Sequence, residues 1–256
     1  MTVKTFDKAN SKNRSILNFK IDRGETQKNV NEQILKYLSN VFTHQMPLKV
    51  LDLPCGTGLF ISYLTKLFPN AEIFGADIQI PSNRDIGRYL QMDLSKDFDL
   101  KEEDKFDLIT SISGVMMFSN TSNFIFNCVK HLNKDGHFIV TNDNFRTIKD
   151  KLSLLLFGRD RLFKLIYENN EEVTQQIPIQ ELCRLLRING MTIEKIEYTS
   201  FYIKDLIYLP IAILIYPIQL AYILRYKTNL PNELKAAMFP FKHYFCKHYI
   251  VYTTKH

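Results

Sequence analysis

Cysteine is sparse and scattered. Cys55, Cys128, Cys183 and Cys246 lie far apart, with no C-x-x-C pair and no Cys/His ligand cluster. That spacing argues against a disulfide framework and a zinc site, and makes a reducing compartment the expectation. No apolar h-region follows Met1, so no signal peptide is expected. No Ser/His/Asp set, metal-ligand cluster or paired-carboxylate spacing stands out, and no metal is expected. Basic residues come without an aromatic stacking motif or recognition fold, which disfavours nucleic acid as a partner.

What is present suits one folded domain. The 256 residues are 45% hydrophobic and 23% charged, enough apolar content to bury a sizeable core. The net charge of +6 is unevenly spread: residues 1–46 carry +4, residues 47–150 carry −3, residues 151–200 are neutral and residues 201–256 carry +5. An acidic centre with basic flanks suits an anionic membrane or an acidic substrate, although solvated lysines give the same count.

The informative stretch is Leu48-Lys49-Val50-Leu51-Asp52-Leu53-Pro54-Cys55-Gly56-Thr57-Gly58. An apolar run of strand length ends in an acid and a glycine turn. A helical pattern follows, with Phe60, Leu64, Leu67 and Phe68 on one face. Gly56 and Gly58 permit close backbone approach to a ligand, and the helix start beyond Thr57 offers free N–H groups. About twenty residues on, a second apolar run ends in Asp77, where an acid meets ribose hydroxyls in βαβ nucleoside sites. A dinucleotide fingerprint needs a third glycine, and Ile61 stands there instead. Asp52 would repel a pyrophosphate but suits a cation such as a sulfonium bearing an ammonium group.

The run Asp52-Leu53-Pro54-Cys55-Gly56-Thr57-Gly58 resembles motif I, D-x-G-x-G-x-G, of the class I S-adenosylmethionine-dependent methyltransferases. It departs at Pro54, where most members have the first glycine. The resemblance extends over about residues 28 to 145. It implies that Asp77 holds the ribose and Ile78 lies against adenine. In Gln91-Met92-Asp93, Asp93 would reach the adenine amino group and Met92 line the base. Phe106 to Ser113 looks like the fourth strand, bringing Ser111 and Ser113 towards cofactor and acceptor. Leu132-Asn133-Lys134-Asp135-Gly136 looks like the turn before the fifth strand. The implied fold is α/β, a doubly wound, mostly parallel seven-stranded sheet with an antiparallel last strand. The implied cofactor is S-adenosyl-L-methionine, contacted by Asp52, Pro54, Cys55, Gly56, Thr57 and Gly58.

Along the chain, residues 1–24 read as a flexible arm, followed by the methyltransferase domain over 25–256. Glu25 to about Thr43 is a predicted helix; in the family this region closes over the cofactor, but no motif carries a residue across. Pro81, Asn83 and Gly87 mark a loop, and Arg88–Met92 a third strand. A helix runs from Asn120 to His131, the last residue read as structural. Gly136–Asn142 is the predicted fifth strand. At its mouth Asp143 is the best general-base candidate, while Asn142 and Asn144 are candidates to orient the acceptor. Residues 145–176 read as a lid-like insertion with a basic amphipathic stretch, Phe145–Tyr167. A helix over Ile179–Ile188 stopped by Gly190, a strand over Met191–Phe201 and a last strand over Lys247–Thr254 follow. Tyr167, Glu168, His243 and His248 are further chemical candidates without a place.

Residues 203–246 form an apolar insertion. Leu206–Leu224 is nineteen residues without a charge, long enough to span a membrane. Pro210, Pro217 and Gln219 interrupt it, and it lies between two strands expected to pair, so a pair of short helices that leave and return is the expectation. Two roles stay open: an interfacial anchor on anionic lipid, with tyrosines and lysines around it, or a cap on the acceptor pocket. Both imply an apolar or membrane-associated acceptor such as a quinone, lipid or polyketide-like molecule. A soluble sugar or amine acceptor, or a catalytically silent membrane-anchoring partner subunit, are the alternatives; a nicotinamide enzyme is disfavoured. A cytoplasmic location, or attachment to the inner face of a membrane, accompanies this reading.

Overall fold

The computed structural model describes residues 18–79, 81, 88–98, 100, 105–161, 163 and 175–256. The expectations for residues 1–17, Asn83, Gly87, Tyr167 and Glu168, and for most of 162–174, lie outside these.

The strands are β1 (Lys49–Asp52), β2 (Glu72–Asp77), β3 (Arg88–Gln91), β4 (Phe106–Ser111), β5 (Leu132–Asp143), β6 (Met191–Thr199) and β7 (His248–Lys255). They form one sheet in the order β3-β2-β1-β4-β5-β7-β6. Pairing is parallel from β3 through β5, and β7 runs antiparallel to both of its neighbours. The central strands are apolar on both faces, as a sheet covered on both sides requires.

The helices are α1 (Val30–Val41), α2 (Leu59–Leu67), α3 (Thr121–Lys130), α4 (Ile148–Phe157), α5 (Ile179–Ile188), α6 (Leu209–Arg225) and α7 (Asn232–Met238). On one face of the sheet, Ile34, Leu35 and Leu38 of α1 and Phe60, Ile61 and Leu64 of α2 pack with Val50 and Leu108. On the other, α3 and α5 deliver Phe124, Ile125, Leu182 and Leu186 onto Leu51, Ile109 and Phe138. α5 has the predicted bounds because its apolar residues recur at helical spacing and Gly190, at φ 81°, ends the run.

Two expectations are corrected. The fifth strand is assigned from Leu132 through Asp143, with Asn133–Gly136 bulged out of the ladder: pairing with β4 passes from Phe106–Leu132 to Leu108–His137, and Asp135 stands at φ 60°. Asn142 and Asp143 consequently sit inside the ladder, paired in register with Tyr249 and His248.

The apolar segment is not two short helices. A 3-10 turn, Ile203–Tyr208, leads directly into the seventeen-residue α6, with Pro210 in the first turn and Pro217 inside. Proline costs nothing at a helix start, where its missing N–H had no partner. α7 then returns, packing on both α6 and β6. Because Thr199 of β6 and His248 of β7 are register partners, the insertion leaves and rejoins the sheet at one point. A single membrane crossing is incompatible with that return.

Candidate active site

The site is built where β1 ends. Gly56 and Gly58 both adopt left-handed backbone, at φ 50° and 76°, and Gly58 caps α2. A side chain on Gly58 would meet the Tyr89 hydroxyl at 2.6 Å, and one on Gly56 would meet the Glu25 carboxylate at 2.6 Å. The turn is thus both strained for other residues and overhung, which is why glycine is required twice.

Pro54, the departure from the motif, follows a cis peptide bond. Its ring lies against Gly114: a Cβ at Gly114 would fall 2.0 Å from Pro54 Cδ. Proline's extra bulk is accommodated by a missing side chain on the segment after β4. The Gly114→Ala variant is therefore expected to lose about 1–3 kcal/mol through overpacking against a rigid ring. Pro54→Gly in the same chain should recover most of that loss. Equal and additive losses in a thermal-unfolding double-mutant cycle would refute the pairing.

Three carboxylates surround the turn. Asp52 is 2% exposed and accepts a hydrogen bond from Thr110 Oγ1 at 2.6 Å. Burial raises its pKa to about 7; the Thr110 bond opposes this and the Asp77 charge adds to it. Asp77, at the end of β2, accepts the Gly56 N–H at 2.8 Å and the Gln79 N–H at 3.3 Å. Glu25 is exposed beside Gly56. Burial pushes the Cys55 thiol up to about 12, with Asp52 and Asp77 adding to it, so Cys55 is a neutral wall of the site.

Around this centre, Ile78 is 60% exposed at the end of β2, open to a flat apolar ligand. Thr57 is exposed and Met92 half-buried. Asp93 is half-buried, and its carboxylate takes the Ser95 amide and hydroxyl at 3.1 and 2.6 Å and pairs with the exposed Lys96 at 3.0 Å. Ser111 is wholly buried and its hydroxyl finds no hydrogen-bond partner. Ser113 stands at φ 56°, with its hydroxyl 2.6 Å from that of Thr26.

Sequence reading could not supply Glu25 and Thr26. They are brought over the turn because Asn31 on α1 donates to the carbonyls of Asp22 and Arg23, while Tyr63 on α2 accepts the Asp22 amide. No motif marks these residues; only the packing of α1 against α2 does.

The predicted acceptor side looks different in space. Asn142 is buried and donates to Ile177 O at 3.0 Å and Tyr249 Oη at 3.1 Å. Asn144 donates to the His243 and Cys246 carbonyls, both at 2.7 Å. Both amides fasten the end of β5 to neighbouring segments. Asp143 accepts from His248 Nδ1 at 2.9 Å, with Arg161 at 3.9 Å. With Nδ1 protonated, His248 Nε2 accepts from the Thr141 hydroxyl at 2.9 Å, and Thr141 Oγ1 accepts the Ser113 amide at 2.9 Å. Ser113 Oγ is 3.5 Å from the same Nε2. Asp143 thus stands behind His248, in a polar chain that ends at Ser113 and Thr26 beside the glycine turn. His248, 105 residues from Asp143 in sequence, joins this chain only through β5–β7 pairing.

The arrangement fits S-adenosylmethionine. Two αL glycines give a narrow approach, three carboxylates surround the place for a cationic ligand, and an exposed isoleucine flanks the space beside Asp77. A doubly wound sheet of this order, with an acid-bracketed glycine turn after its first strand, defines a Rossmann-like nucleoside-binding domain.

A family model described as a methyltransferase domain matches residues 25–196, and the chain belongs to that family, the class I S-adenosylmethionine-dependent methyltransferases. A malonyl-[acyl-carrier protein] O-methyltransferase from Bacillus cereus is 25% identical over 129 residues, which are 48% of each chain. The chain thus matches about half the length of that curated relative. A putative S-adenosylmethionine-dependent methyltransferase from Listeria monocytogenes has a similar fold: TM-score 0.54 and 13% identity, over 88% of this chain and 98% of that one. An O-methyltransferase of a trans-AT polyketide synthase from Brevibacillus brevis, bound to S-adenosyl-L-homocysteine, gives TM-score 0.51 and 20% identity, over 89% and 72%.

Proposed function

We propose that this chain methylates an apolar or membrane-associated small molecule, working at the surface of an anionic membrane. The observation that carries the reading is the exposure of its most apolar helix. The segment Ile203–Arg225 is long and apolar enough to cross a bilayer, yet only 11% of its most apolar window is buried. Ile207 and Leu214 are 76% and 73% exposed. The end of α4, which contacts the turn before α6, adds Leu155 and Phe157 at 79% and 73%. An apolar surface this large marks an interaction site rather than an ordinary exterior. Lys149 and Lys204 add positive charge near Lys247, which suits anionic headgroups; Lys247 itself is paired with Asp205 at 4.0 Å and Arg161 with Asp150 at 3.0 Å.

S-adenosylmethionine, when bound, supplies a methyl group on a sulfonium that is already a good leaving group. The protein's task is then to align the acceptor and exclude water. Asp77 and Glu25 hold the rim of the nucleoside turn, Asp52 supplies negative charge beneath it, and Thr26 with Ser113 closes the passage beside it. Where the acceptor carries an O–H, Ser113 Oγ takes that proton and passes its own to His248 Nε2, from which the Thr141 hydroxyl turns away, while Asp143 holds the ring through Nδ1. The sequence candidate Asp143 is thereby reassigned from base to positioning residue. The polyketide-synthase neighbour and the acyl-carrier relative both carry O-methyltransferase names, in keeping with an oxygen acceptor.

Tritium-labelled methyl transfer into solvent-partitioned extracts of cells tests this reading. Label is expected in the lipid fraction, enhanced by anionic vesicles, and reduced at least tenfold by Asp77→Ala. Label confined to the aqueous fraction would overturn the acceptor class, and full label with Asp77→Ala would overturn the ribose contact.

A further inference from the structure

A groove of about 890 Å³ runs between α5, α6 and α7, away from the glycine turn. Its volume is that of a small-molecule site. Its two ends differ in chemistry.

At one end stand Arg146 and Lys151. Among the described residues neither forms an ion pair, and they are close enough that the Arg146 charge lowers the pKa of Lys151, after burial itself. Lys151 Nζ lies 4.7 Å from the centre of the Tyr244 ring. The Tyr244 hydroxyl donates to Gln219 Oε1 at 2.6 Å, fixing that amide. Gln219 Nε2 is then a buried donor with no hydrogen-bond partner among the described residues. Arg146 and Lys151 thus stand together at one end of the groove, with the buried Gln219 amide behind them. By contrast, Arg184 further along is already neutralised by Glu181 at 2.6 Å, and Lys235 donates to Tyr226 O.

Beyond that end, the apolar part of the lining includes Tyr222, Ile223, Leu230, Met238 and Phe239, and the exposed Arg187 also borders the groove. A purely apolar occupant would cover the half-buried Arg146 and the exposed Lys151 without supplying a counter-charge. A bare anion would leave the apolar length facing water. Both requirements are met by one ligand class.

We infer that this groove binds an anionic amphiphile, with its phosphate or carboxylate head on Arg146 and Lys151 and its aliphatic chain along Ile223, Leu230 and Met238. The inference holds whether or not that molecule is the methyl acceptor.

Calorimetric titration of the full chain with dodecyl phosphate, below its micelle concentration and without vesicles, tests it. One-to-one binding is expected, at least tenfold tighter than dodecanol or inorganic phosphate. Arg146→Gln with Lys151→Gln should weaken it at least tenfold, at unchanged melting temperature and unchanged S-adenosylmethionine affinity. Ile223→Trp, which fills the apolar length, should weaken dodecyl phosphate in a chain that keeps both cations. Inorganic phosphate binding as tightly would reduce the groove to an anion site, and dodecanol binding as tightly would reduce it to an apolar slot; either overturns the inference. So would full affinity in the double variant. Because no membrane or methyl transfer enters the measurement, its failure is separable from failure of the proposed function.

Discussion

Affinity for S-adenosylmethionine should fall as pH drops from 8 to 6, by up to about tenfold per pH unit once below the Asp52 pKa. Asp52 carries its proton up to about pH 7 because burial penalises its charge. A cationic ligand restores a reason to ionise, so binding below pH 7 must expel that proton. Asp52→Asn should bind the cofactor at least tenfold more weakly at pH 8 and lose this part of the pH slope.

Stability should move the other way. The folded-state pKa is raised from 3.8 to about 7, so between those values the folded chain holds more protons than the unfolded one. Stability therefore decreases as pH rises through that window, and the cost is fully present above pH 7. A shift of this size corresponds to roughly 4 kcal/mol, an upper bound after relaxation of the site. Asp52→Asn should accordingly melt several degrees higher at pH 8, with the gain vanishing near pH 4. A carboxylate kept at a cost to the fold is the signature of a binding role. Titration calorimetry at three pH values with matched melting curves checks both halves. A variant that binds normally and melts no higher would remove Asp52 from the site.

The second large effect concerns the exposed helix. Leu214→Glu with Ile218→Glu should reduce co-sedimentation with phosphatidylglycerol-containing vesicles at least a hundredfold. Each side chain brings about 1.5–3 kcal/mol when taken fully from water into an apolar phase, and a carboxylate facing anionic headgroups adds repulsion. Both positions are highly exposed, at 73% and 69%, so the melting temperature should hardly change. High salt should weaken the unmodified chain's attachment through its lysines. Undiminished sedimentation of the variant would place the contact elsewhere.

Much of the scaffold was legible because its signals are local. The apolar run into Asp52, the two glycines and the acid at 77 fall within one βαβ unit, where chain connectivity alone brings them together. α5 was legible to the residue, since periodicity and a terminal glycine bound it. Legibility failed where distant segments meet. Asn142 and Asn144 looked like open acceptor ligands, yet pairing with β7 turned their amides onto carbonyls.

Residue order alone determined the strand-turn-helix that receives a nucleoside and the preference for a cationic one, because backbone permissiveness and charge sign belong to the residues themselves. Tertiary structure alone decided that Glu25 overhangs Gly56, that Pro54 closes on Gly114, that Asp143 bonds His248, and that α6 lies outside the core. Those outcomes depend on which surfaces remain after the sheet has been covered, a competition among distant segments that no local pattern encodes.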